Sequence, residues 1–417
     1  MLRILLVSHY FWPESFRINQ VAEDLIATGA EVTVLAGHPS YPEGATFPGY
    51  TAYRLSKELH PAGYEICRVP VIPRGKGAVR LALNYLSFTL SGILFGPWLL
   101  RRRKFDVVFV YCTTPVTQGF VGLWFGLLKR APVAQWIQDL WPQALSATGF
   151  VRSPWLLALI RKIVAFMYRH SDLLLGQSHA FVRFLREDAG GTPIEYFPNP
   201  GEPPAAMTRN TEMRLPVDKF NVVFAGNLGK AQAMQTVVAA AELLSVDSDI
   251  LITLFGSGSR RDWIAQEIVA RNLSNLTLGG RVPPKAMPAI YAQASALLLC
   301  LIDDELLAQT VPSKLQSYLN TGVPIIAAVN GEAADIVIEA GAGIACPAED
   351  HVALANALRR LRAMPREARN AMGAAGCRFF ATHYKHDDLA RDLFGRLQRV
   401  AERSRVRPSN AAARNSE

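Results

Sequence analysis

Two lysines, each beside the start of a predicted helix, are the first residues that could do chemistry. The segment from Gly226 to Lys230 reads Gly-Asn-Leu-Gly-Lys and lies between an apolar run and a helical pattern. Glycines let the backbone approach a phosphate, a helix start offers free N–H groups, and Lys230 adds a positive charge. The segment is a candidate phosphate site, although an ordinary strand-to-helix turn has a similar composition.

The second lysine belongs to the segment from Thr310 to Lys314, which reads Thr-Val-Pro-Ser-Lys. Ser313 is a candidate N-cap, so Lys314 falls in the first turn, where a cation opposes the helix dipole. A bound anion would explain that position, and a solvated lysine is the simpler alternative. Because two strand–loop–helix units carry a lysine at the same place, we expect the pair to clamp a diphosphate.

Two carboxylates follow predicted strands and could act on a hydroxyl group. Asp139 follows the apolar run Val133–Trp136, and Glu14 follows the first strand of the chain. A carboxylate at the carboxyl end of a strand can orient or deprotonate a substrate hydroxyl. For Asp139, capping of the next helix is an equally good explanation. His9 and His179 receive no role, because a lone histidine is more often structural.

The sequence does not point to a metal or a cofactor. Its one Asp-x-Asp, Asp247-Ser-Asp249, precedes a predicted strand, at the wrong end for a metal-binding loop. The five cysteines are odd in number and scattered without a Cys-x-x-Cys pair, so neither a structural zinc site nor a disulfide framework is indicated, and a reducing compartment is favoured. A second and weaker glycine loop, Gly256-Ser-Gly258, follows the next predicted strand. Neither this loop nor the Gly226–Lys230 segment has the Gly-x-Gly-x-x-Gly spacing of a dinucleotide site. We expect no metal and no cofactor.

Alternating strands and helices must position these residues. The predicted strands are Leu2–Val7, Val32–Leu35, Asp106–Tyr111, Val133–Trp136, Asp172–Leu175, Asn221–Ala225, Ile250–Phe255, Ala296–Leu301 and Pro324–Ala328. The predicted helices are Ile18–Ala27, Ala231–Leu244, Arg260–Arg271, Pro284–Gln293, Ser313–Asn320 and Leu389–Arg403. A linker with four prolines in eight residues, Phe197–Pro204, divides the strands into two series.

This order predicts an α/β chain with two doubly wound, Rossmann-like domains facing a cleft. With 417 residues, the chain is long enough for both. We expect a first domain at 1–200, a second at 201–385, a helix at 386–403 that crosses back to the first domain, and a disordered tail at 404–417.

The net charge of +9 is concentrated between Arg68 and Arg130, where ten Lys and Arg residues meet one acid, Asp106. The same region holds the apolar run Leu81–Leu100, followed by Arg-Arg-Arg-Lys. A membrane-spanning helix is one interpretation. A polar stripe of Asn84, Ser87 and Ser91 favours a helix lying on an anionic membrane surface. Nucleic acid is a poorer partner, because no nucleic-acid motif accompanies the charge.

Seven stretches resemble the retaining GT-B glycosyltransferases of family 4. Within that family they look most like bacterial capsule and O-antigen enzymes similar to colanic-acid fucosyl- and fucosaminyltransferases. The stretches are Tyr10–Asn19, Gln138–Pro142, Phe197–Pro200, Phe224–Gln232, Gly280–Pro283, Thr310–Lys314 and Gly322–Pro324. They follow the expected order over nearly the whole chain.

The resemblance implies that the second domain holds a nucleotide-sugar and the first domain the acceptor. The nucleotide base would lie near Arg281 and Val282. The implied donor-binding residues are Gly226, Asn227, Gly229, Arg281, Val282, Gln309, Thr310, Ser313 and Ser317. The implied acceptor-binding residues are Glu14, Arg17 and Asn19. The implied catalytic residues are Asp139, Lys230 and Lys314.

The chain departs from the family pattern at several positions. An arginine, a lysine, the Glu-x7-Glu pair and a histidine of the family are all replaced. The replacing residues are Asn227, Gln232, Gln309, Ser317 and Gln138. The acidic stretch 303–305 could supply a substitute carboxylate, and a solvated acidic loop is the alternative.

The resemblance therefore implies an enzyme that moves a sugar from a nucleoside diphosphate to a lipid-linked glycan in cell-surface polysaccharide synthesis. Transfer would retain the anomeric configuration, need no metal and take place on the cytoplasmic face of the plasma membrane. The leaving phosphate would accept the acceptor proton, so no protein nucleophile is required. A nucleotide-sugar epimerase and a non-catalytic nucleotide-sugar-binding protein on the same fold remain alternatives.

Overall fold

The computed structural model describes residues 1–75, 77–147, 151–201 and 213–413. Residues 1–198 and 387–417 form one compact unit, and residues 199–386 form another. Each unit is built on its own sheet, which confirms the predicted α/β class. Lys76, residues 202–204 of the predicted linker and the last four residues of the predicted tail lie outside the described residues.

The first unit has a sheet of order β3-β4-β2-β1-β5-β6-β7-β8, in which only β3 runs antiparallel to its neighbour. Its strands are β1 (Arg3–Ser8), β2 (Glu31–Ala36), β3 (Ser56–Leu59), β4 (Glu65–Arg68), β5 (Val107–Cys112), β6 (Val133–Ile137), β7 (Leu173–Gly176) and β8 (Ile194–Tyr196). Its helices are α1 (Arg17–Ala27), α2 (Ala78–Leu99), α3 (Gln118–Lys129), α4 (Gln143–Ala147), α5 (Pro154–Arg169), α6 (His179–Asp188) and α15 (His386–Ala413).

Helices cover both faces of this sheet, which is why its central strands are continuous apolar runs. On one face, Leu25 of α1 and Leu393 of α15 join the buried cluster that contains Ile4 of β1. On the other face, α3 lies so close to the strands that a Cβ at Gly122 would come within 2.3 Å of the Val110 side chain. The sheet is therefore rigidly packed, and its strand ends can position loops.

The second unit has a sheet of order β11-β10-β9-β12-β13-β14, with parallel neighbours throughout. Its strands are β9 (Phe220–Ala225), β10 (Ile250–Phe255), β11 (Leu276–Gly280), β12 (Ala296–Cys300), β13 (Ile325–Ala328) and β14 (Gly343–Cys346). Its helices are α7 (Met234–Leu243), α8 (Arg261–Ala270), α9 (Met287–Tyr291), α10 (Glu305–Ala308), α11 (Ser313–Leu319), α12 (Glu332–Glu339), α13 (His351–Ala363) and α14 (Arg366–His383).

The predicted strands all occur within two residues of their predicted ends, whereas β3, β4, β8, β11 and β14 were not predicted. These strands are short and carry polar residues or glycine, so their apolar pattern is weak. The terminal helix α15 also differs from expectation. It continues to Ala413, beyond the predicted end at Arg403 and into the predicted tail.

Candidate active site

The two glycine loops of the second unit pack backbone against backbone at the carboxyl ends of β9 and β10. The N–H of Gly226 donates to the carbonyl of Phe255 (2.9 Å), and that of Leu228 donates to the carbonyl of Ser257 (2.8 Å). Gly226 and Gly256 have φ values of +136° and +135°, and a Cβ at Gly256 would lie 1.8 Å from the Gly226 oxygen. Both positions therefore require glycine.

Lys314 of α11 lies across the turn at Gly226. A Cβ at Gly226 would be 2.7 Å from the Lys314 Nζ atom, and this atom lies 4.0 Å from the centroid of the Phe224 ring. Burial lowers the pKa of Lys314 to about 8. In the described part of the chain, no carboxylate forms an ion pair with it. A partly buried cation without a counter-charge, beside a backbone turn, is suited to bind an anion.

The helix starts next to the two lysines differ from the prediction. Pro312 occupies the cap position of α11, so Ser313 is the first helical residue, and no side chain caps this helix. The predicted N-cap role of Ser313 is therefore wrong. The helix has seven residues, and Lys230 begins a 3-10 helix of only three. Such short helices contribute little dipole, so the charge of Lys314 is the main attraction for an anion here. Lys230 directly follows the first glycine loop and is exposed.

Other predicted donor-binding residues surround these loops in different ways. Asn227 is exposed but its side chain folds back, since a Cβ at Gly229 would lie 2.6 Å from its Nδ2 atom. Arg281 follows β11 and is exposed, whereas Val282 is partly buried against an apolar cluster. The exposed Arg281 guanidinium is therefore available to solvent and ligands.

Three polar residues predicted to contact the donor lie on or just before α11. The hydroxyl of Thr310 donates to the carbonyl of Leu307 (3.0 Å), and the hydroxyl of Ser317 donates to the carbonyl of Ser313 (3.2 Å). Gln309 occupies the C-cap position of α10. Both hydroxyls therefore already have backbone partners, and their oxygens can still accept hydrogen bonds.

The acidic stretch at 303–305 has structural partners. The Asp304 carboxylate accepts the N–H of Leu307 (2.9 Å) and caps α10, and Asp303 accepts a hydrogen bond from Asn330 (2.9 Å). Glu305 is exposed. These contacts favour the interpretation as a solvated acidic loop over that of a substitute catalytic carboxylate.

The Asp-x-Asp of the second unit is occupied by arginines. Asp247 accepts from Arg359 (2.9 Å) and pairs with Arg362 (3.3 Å), which also pairs with Asp249 (2.5 Å). This cluster lies before β10, at the amino end of the sheet. Because both arginines lie on α13, these ion pairs attach α13 to the turn before β10.

In the first unit, Asp139 joins the loops that follow β5 and β6. Its Oδ2 atom accepts the N–H of Thr114 at 2.6 Å. The residue lies four positions before α4, so the alternative that it caps this helix is wrong. No other hydrogen bond or ion pair of its carboxylate occurs among the described residues, and the side chain is partly exposed. One carboxylate oxygen of Asp139 is therefore held by a backbone amide, and the other oxygen is available to bind a substrate hydroxyl.

Glu14 is buried, with 2% of its surface exposed. Its carboxylate accepts the N–H groups of Phe11 (3.1 Å), Ser40 (2.8 Å) and Tyr41 (2.7 Å). Burial raises its pKa to about 7, although these three hydrogen bonds act in the opposite direction. The prediction that Glu14 itself contacts an acceptor is therefore corrected, because its carboxylate faces backbone amides and holds two loops together.

Asn19 also supports the loop after β1. Its Nδ2 atom donates to the carbonyl of Glu14 (2.6 Å), and its Oδ1 atom accepts the N–H of Trp12 (3.0 Å). Asn19 therefore helps to position this loop, and its side chain is partly exposed, so the predicted acceptor contact of Asn19 stays a prediction. Arg17 is partly buried at the start of α1, and its charge acts on the buried phenol of Tyr111, as does the charge of Asp139.

The helix α2 turns its polar stripe inward and its apolar side outward. Asn84 is fully buried and donates to the carbonyl of Ile72 (2.6 Å), and the Ser87 hydroxyl accepts the N–H of Ile72 (2.9 Å). The stretch Val79–Leu99 is long and apolar enough to cross a membrane, and 33% of its most apolar window is buried. These buried polar contacts attach α2 to the unit and favour the surface-lying interpretation over the spanning one.

The outward side of α2 continues over two neighbouring helices. Of the twenty-five exposed large apolar residues in the described chain, fourteen lie on α2, α3 and α5. We call them the apolar face: Val79, Leu83, Leu86, Leu90, Leu94, Phe95, Trp98, Trp124, Leu127, Leu128, Trp155, Leu159, Ile163 and Phe166. Scattered exposed apolar residues are ordinary, but a concentration of this kind marks an interaction surface.

A two-domain α/β chain with a tight glycine turn, a partly buried lysine beside it and a carboxylate after a strand has features of a group-transfer enzyme. Two family models match the chain: "Glycosyl transferase 4-like domain" over residues 15–200 and "Glycosyl transferases group 1" over residues 210–378. The chain belongs to the glycosyltransferases of the GT-B fold that combine these two domains. The resemblance found from the sequence motifs is thereby confirmed.

The similar proteins include two bacterial glycosyltransferases. One is WcaI of Escherichia coli K12, assigned to colanic acid biosynthesis, with 24% identity over 77% of this chain and 82% of its own length. Another is WbjE of Pseudomonas aeruginosa, with 24% identity over 66% of this chain and 71% of its own length. Both are glycosyltransferases, and the first is assigned to the biosynthesis of a polysaccharide.

Solved structures share the fold. The sucrose-phosphate synthase of Thermosynechococcus elongatus aligns with a TM-score of 0.70 and 18% identity over 96% of this chain and 98% of its own. The HepE protein of Anabaena, solved in complex with UDP, aligns with a TM-score of 0.68 and 13% identity over 95% of this chain and all of its own.

Proposed function

We propose that this glycosyltransferase moves a sugar from a nucleoside diphosphate to a lipid-linked glycan, with retention and without a metal. The carrying observation is Lys314, a partly buried ammonium beside the glycine turn that has no carboxylate partner among the described residues. HepE was solved with UDP, and an Escherichia coli trehalose-6-phosphate synthase structure with UDP-2-fluoro glucose. These neighbours support a nucleoside diphosphate donor for this chain.

The chemistry that Lys314 supports is departure of the diphosphate. Negative charge builds on the leaving oxygen as the glycosidic bond breaks, and a fixed cation in a partly desolvated place stabilises it. The lack of a side chain at Gly226 lets a phosphate approach the turn closely, and the exposed Lys230 adds a mobile charge. In metal-dependent transferases a divalent cation supplies this stabilisation, and here lysines replace it.

On the acceptor side, the free oxygen of Asp139 orients the attacking hydroxyl. The leaving phosphate oxygen takes the proton of that hydroxyl on the same face of the sugar, so the new bond retains the anomeric configuration. No protein nucleophile takes part in this sequence. Asp139 therefore affects turnover more than it affects donor binding.

The enzymatic test uses purified protein with UDP-, GDP- and dTDP-sugars, with and without a membrane lipid extract. Nucleotide release that requires the lipid supports transfer, and activity in excess EDTA supports metal independence. The anomeric configuration of the product, read by NMR, tests retention. Interconversion of sugars without lipid would indicate an epimerase, and binding without turnover a non-catalytic protein; either outcome overturns the proposal.

We also propose that the apolar face binds an anionic membrane surface, where a lipid-linked acceptor is available. Exposed arginines and lysines lie beside it, at Arg101, Arg102 and Lys104 after α2 and at Arg152 before α5. Apolar burial together with attraction to anionic headgroups is what holds an interfacial helix.

Vesicle flotation tests this surface. The wild-type protein should float with vesicles containing phosphatidylglycerol and much less with pure phosphatidylcholine. A variant with Leu90→Asp and Leu94→Asp should lose binding, whereas Val246→Asp, on an exposed residue of the second unit, should retain it. Equal flotation of both variants would overturn the assignment.

A further inference from the structure

Arg74 is a half-buried arginine without a carboxylate partner among the described residues. Two other arginines of the first unit have one: Arg3 pairs with Asp106 (2.9 Å), and the fully buried Arg68 pairs with Glu58. Arg74 lies in the segment that follows β4, at the carboxyl edge of the sheet where ligands of such folds bind. A desolvated guanidinium without a counter-charge is suited to an anion.

Aromatic rings surround this guanidinium. Its Cζ atom lies 5.1 Å from the Tyr41 ring centroid and 6.0 Å from that of Tyr10. The rings of Tyr10 and Phe16 are stacked nearly parallel, with centroids 5.4 Å apart, and Phe16 also contacts Tyr41 (5.1 Å). Tyr41 is 38% exposed, so the cluster presents an aromatic ring and a cation to solvent together.

Buried hydrogen bonds fix the position of Arg74. Its Nη1 atom donates to the hydroxyl of Tyr10 (3.1 Å), and this hydroxyl donates to the Oδ1 atom of Asn84 (3.0 Å). Asn84 is itself fully buried and bound to the backbone of Ile72. The hydroxyl of Tyr85 is a second hydrogen-bond partner of this guanidinium. An arginine has five N–H donors arranged as a fork, so the remaining donors can bind an oxyanion.

The same cluster is connected to the other residues of the acceptor side. Glu14 accepts the N–H of Tyr41 and thereby sets the position of its ring. The charges of both Arg74 and Asp139 act on the phenol of Tyr85. Asp139, which we propose to orient the attacking hydroxyl, is therefore near this cluster.

We propose that Arg74 binds a phosphate group of the acceptor and that the exposed ring of Tyr41 packs against the adjoining sugar. The ligand would be a prenyl diphosphate-linked saccharide, and the inference rests on the proposed transfer to a lipid-linked acceptor. Arg74 anchors the diphosphate ester, which positions the terminal sugar for attack. The donor diphosphate has its own cation, Lys314, in the second unit.

The test measures binding of farnesyl diphosphate, a short prenyl diphosphate, by calorimetry in saturating UDP, so that the donor site is filled. Arg74→Gln should weaken this binding at least about tenfold, because a charge-assisted, two-pronged contact is lost. Arg74→Lys keeps the positive charge but lacks the forked guanidinium, so its affinity should lie between those of the wild type and of Arg74→Gln. Arg186→Gln, at an exposed arginine of α6, is the matched control and should bind as the wild type does.

Two further measurements separate the possible failures. Inorganic pyrophosphate should show the same order of variants, which identifies the diphosphate as the recognised group. Wild-type affinity of Arg74→Gln for farnesyl diphosphate, or a loss confined to phosphatidylglycerol vesicles, would overturn the inference and leave donor binding intact. A wild-type protein that neither binds UDP nor transfers sugar would instead overturn the proposed function. Tyr10→Phe, which removes only the hydroxyl that holds Arg74, should give a smaller loss in the same direction.

Discussion

Lys314→Met gives the sharpest test of the donor site, because it should act in opposite directions on stability and on binding. In the free protein, burial lowers the pKa of Lys314 from 10.5 to about 8. Below pH 8 Lys314 is therefore protonated in both states, and its charge is less favourable in the folded protein, where it is partly buried, than in the unfolded chain. Removing this cation should stabilise the ligand-free protein by about 1–3 kcal/mol at pH 7, since each pH unit between the two values corresponds to about 1.4 kcal/mol.

The same substitution should weaken nucleotide binding. Hydrogen bonds to a charged group contribute about 1.5–3 kcal/mol, so the Kd for UDP should rise about 10- to 150-fold. Binding of the diphosphate returns the pKa of Lys314 toward its ordinary value. The wild-type affinity should therefore fall by up to about tenfold for each pH unit above 8, as the free lysine loses its proton. The variant should lack this component.

Calorimetry with UDP between pH 7 and 9 and thermal unfolding of the ligand-free protein measure these effects. The difference between wild type and variant is used, because ionisation of the uracil ring then cancels. The control is Lys219→Met, a lysine just before β9 at the amino end of the sheet, and it should change neither quantity much. A Lys314→Met protein with wild-type affinity, or with the wild-type pH dependence, would refute the reasoning.

Three other substitutions test the rest of the site. Asp139→Asn should lower kcat about 10²- to 10⁴-fold with an unchanged Kd for UDP, as measured by sugar transfer and calorimetry; a matching loss of nucleotide affinity would contradict its acceptor-side role. Burial raises the pKa of Glu14 from 4.5 to about 7, so the folded protein holds a proton that the unfolded chain releases in this pH range. As the pH rises from about 4.5 to 7, the free energy of unfolding of the wild type should therefore decrease relative to that of Glu14→Gln, as measured by denaturant titration. Gly256→Ala, whose Cβ would lie 1.8 Å from the Gly226 oxygen, should lower Tm and abolish UDP binding, whereas Gly191→Ala, with open space around it, should change neither.

Local patterns in the sequence were sufficient for the architecture. Apolar runs bounded by glycine and helical periodicity identified the central strands of both sheets, because those strands are buried on both faces and tolerate few polar residues. The glycine loops were equally visible, since the close backbone approach at Gly226 and Gly256 leaves no room for a side chain. Edge strands such as β3 were missed, because one polar face removes the signal.

Which groups meet, and which way a side chain points, depended on the tertiary structure. Lys314 reaches Gly226, 88 positions earlier, because β12 lies beside β9 in the sheet. The carboxylate of Glu14 is buried rather than available to a ligand, since three backbone amides of two loops converge on it. The polar stripe of α2 faces inward because the backbone N–H and carbonyl of Ile72 form hydrogen bonds with Ser87 and Asn84.

What the sequence by itself determined was therefore the set of elements and the chemical types at their ends. Periodicity shows which residues share a face of a helix, but a helix that is largely apolar all round gives little signal for which face is inward. Only the packed fold decided that α2 exposes its apolar side, that Arg74 lacks a carboxylate among the described residues and that Lys314 stands against a glycine turn. These are long-range contacts, and their energies depend on neighbours that the local sequence does not contain.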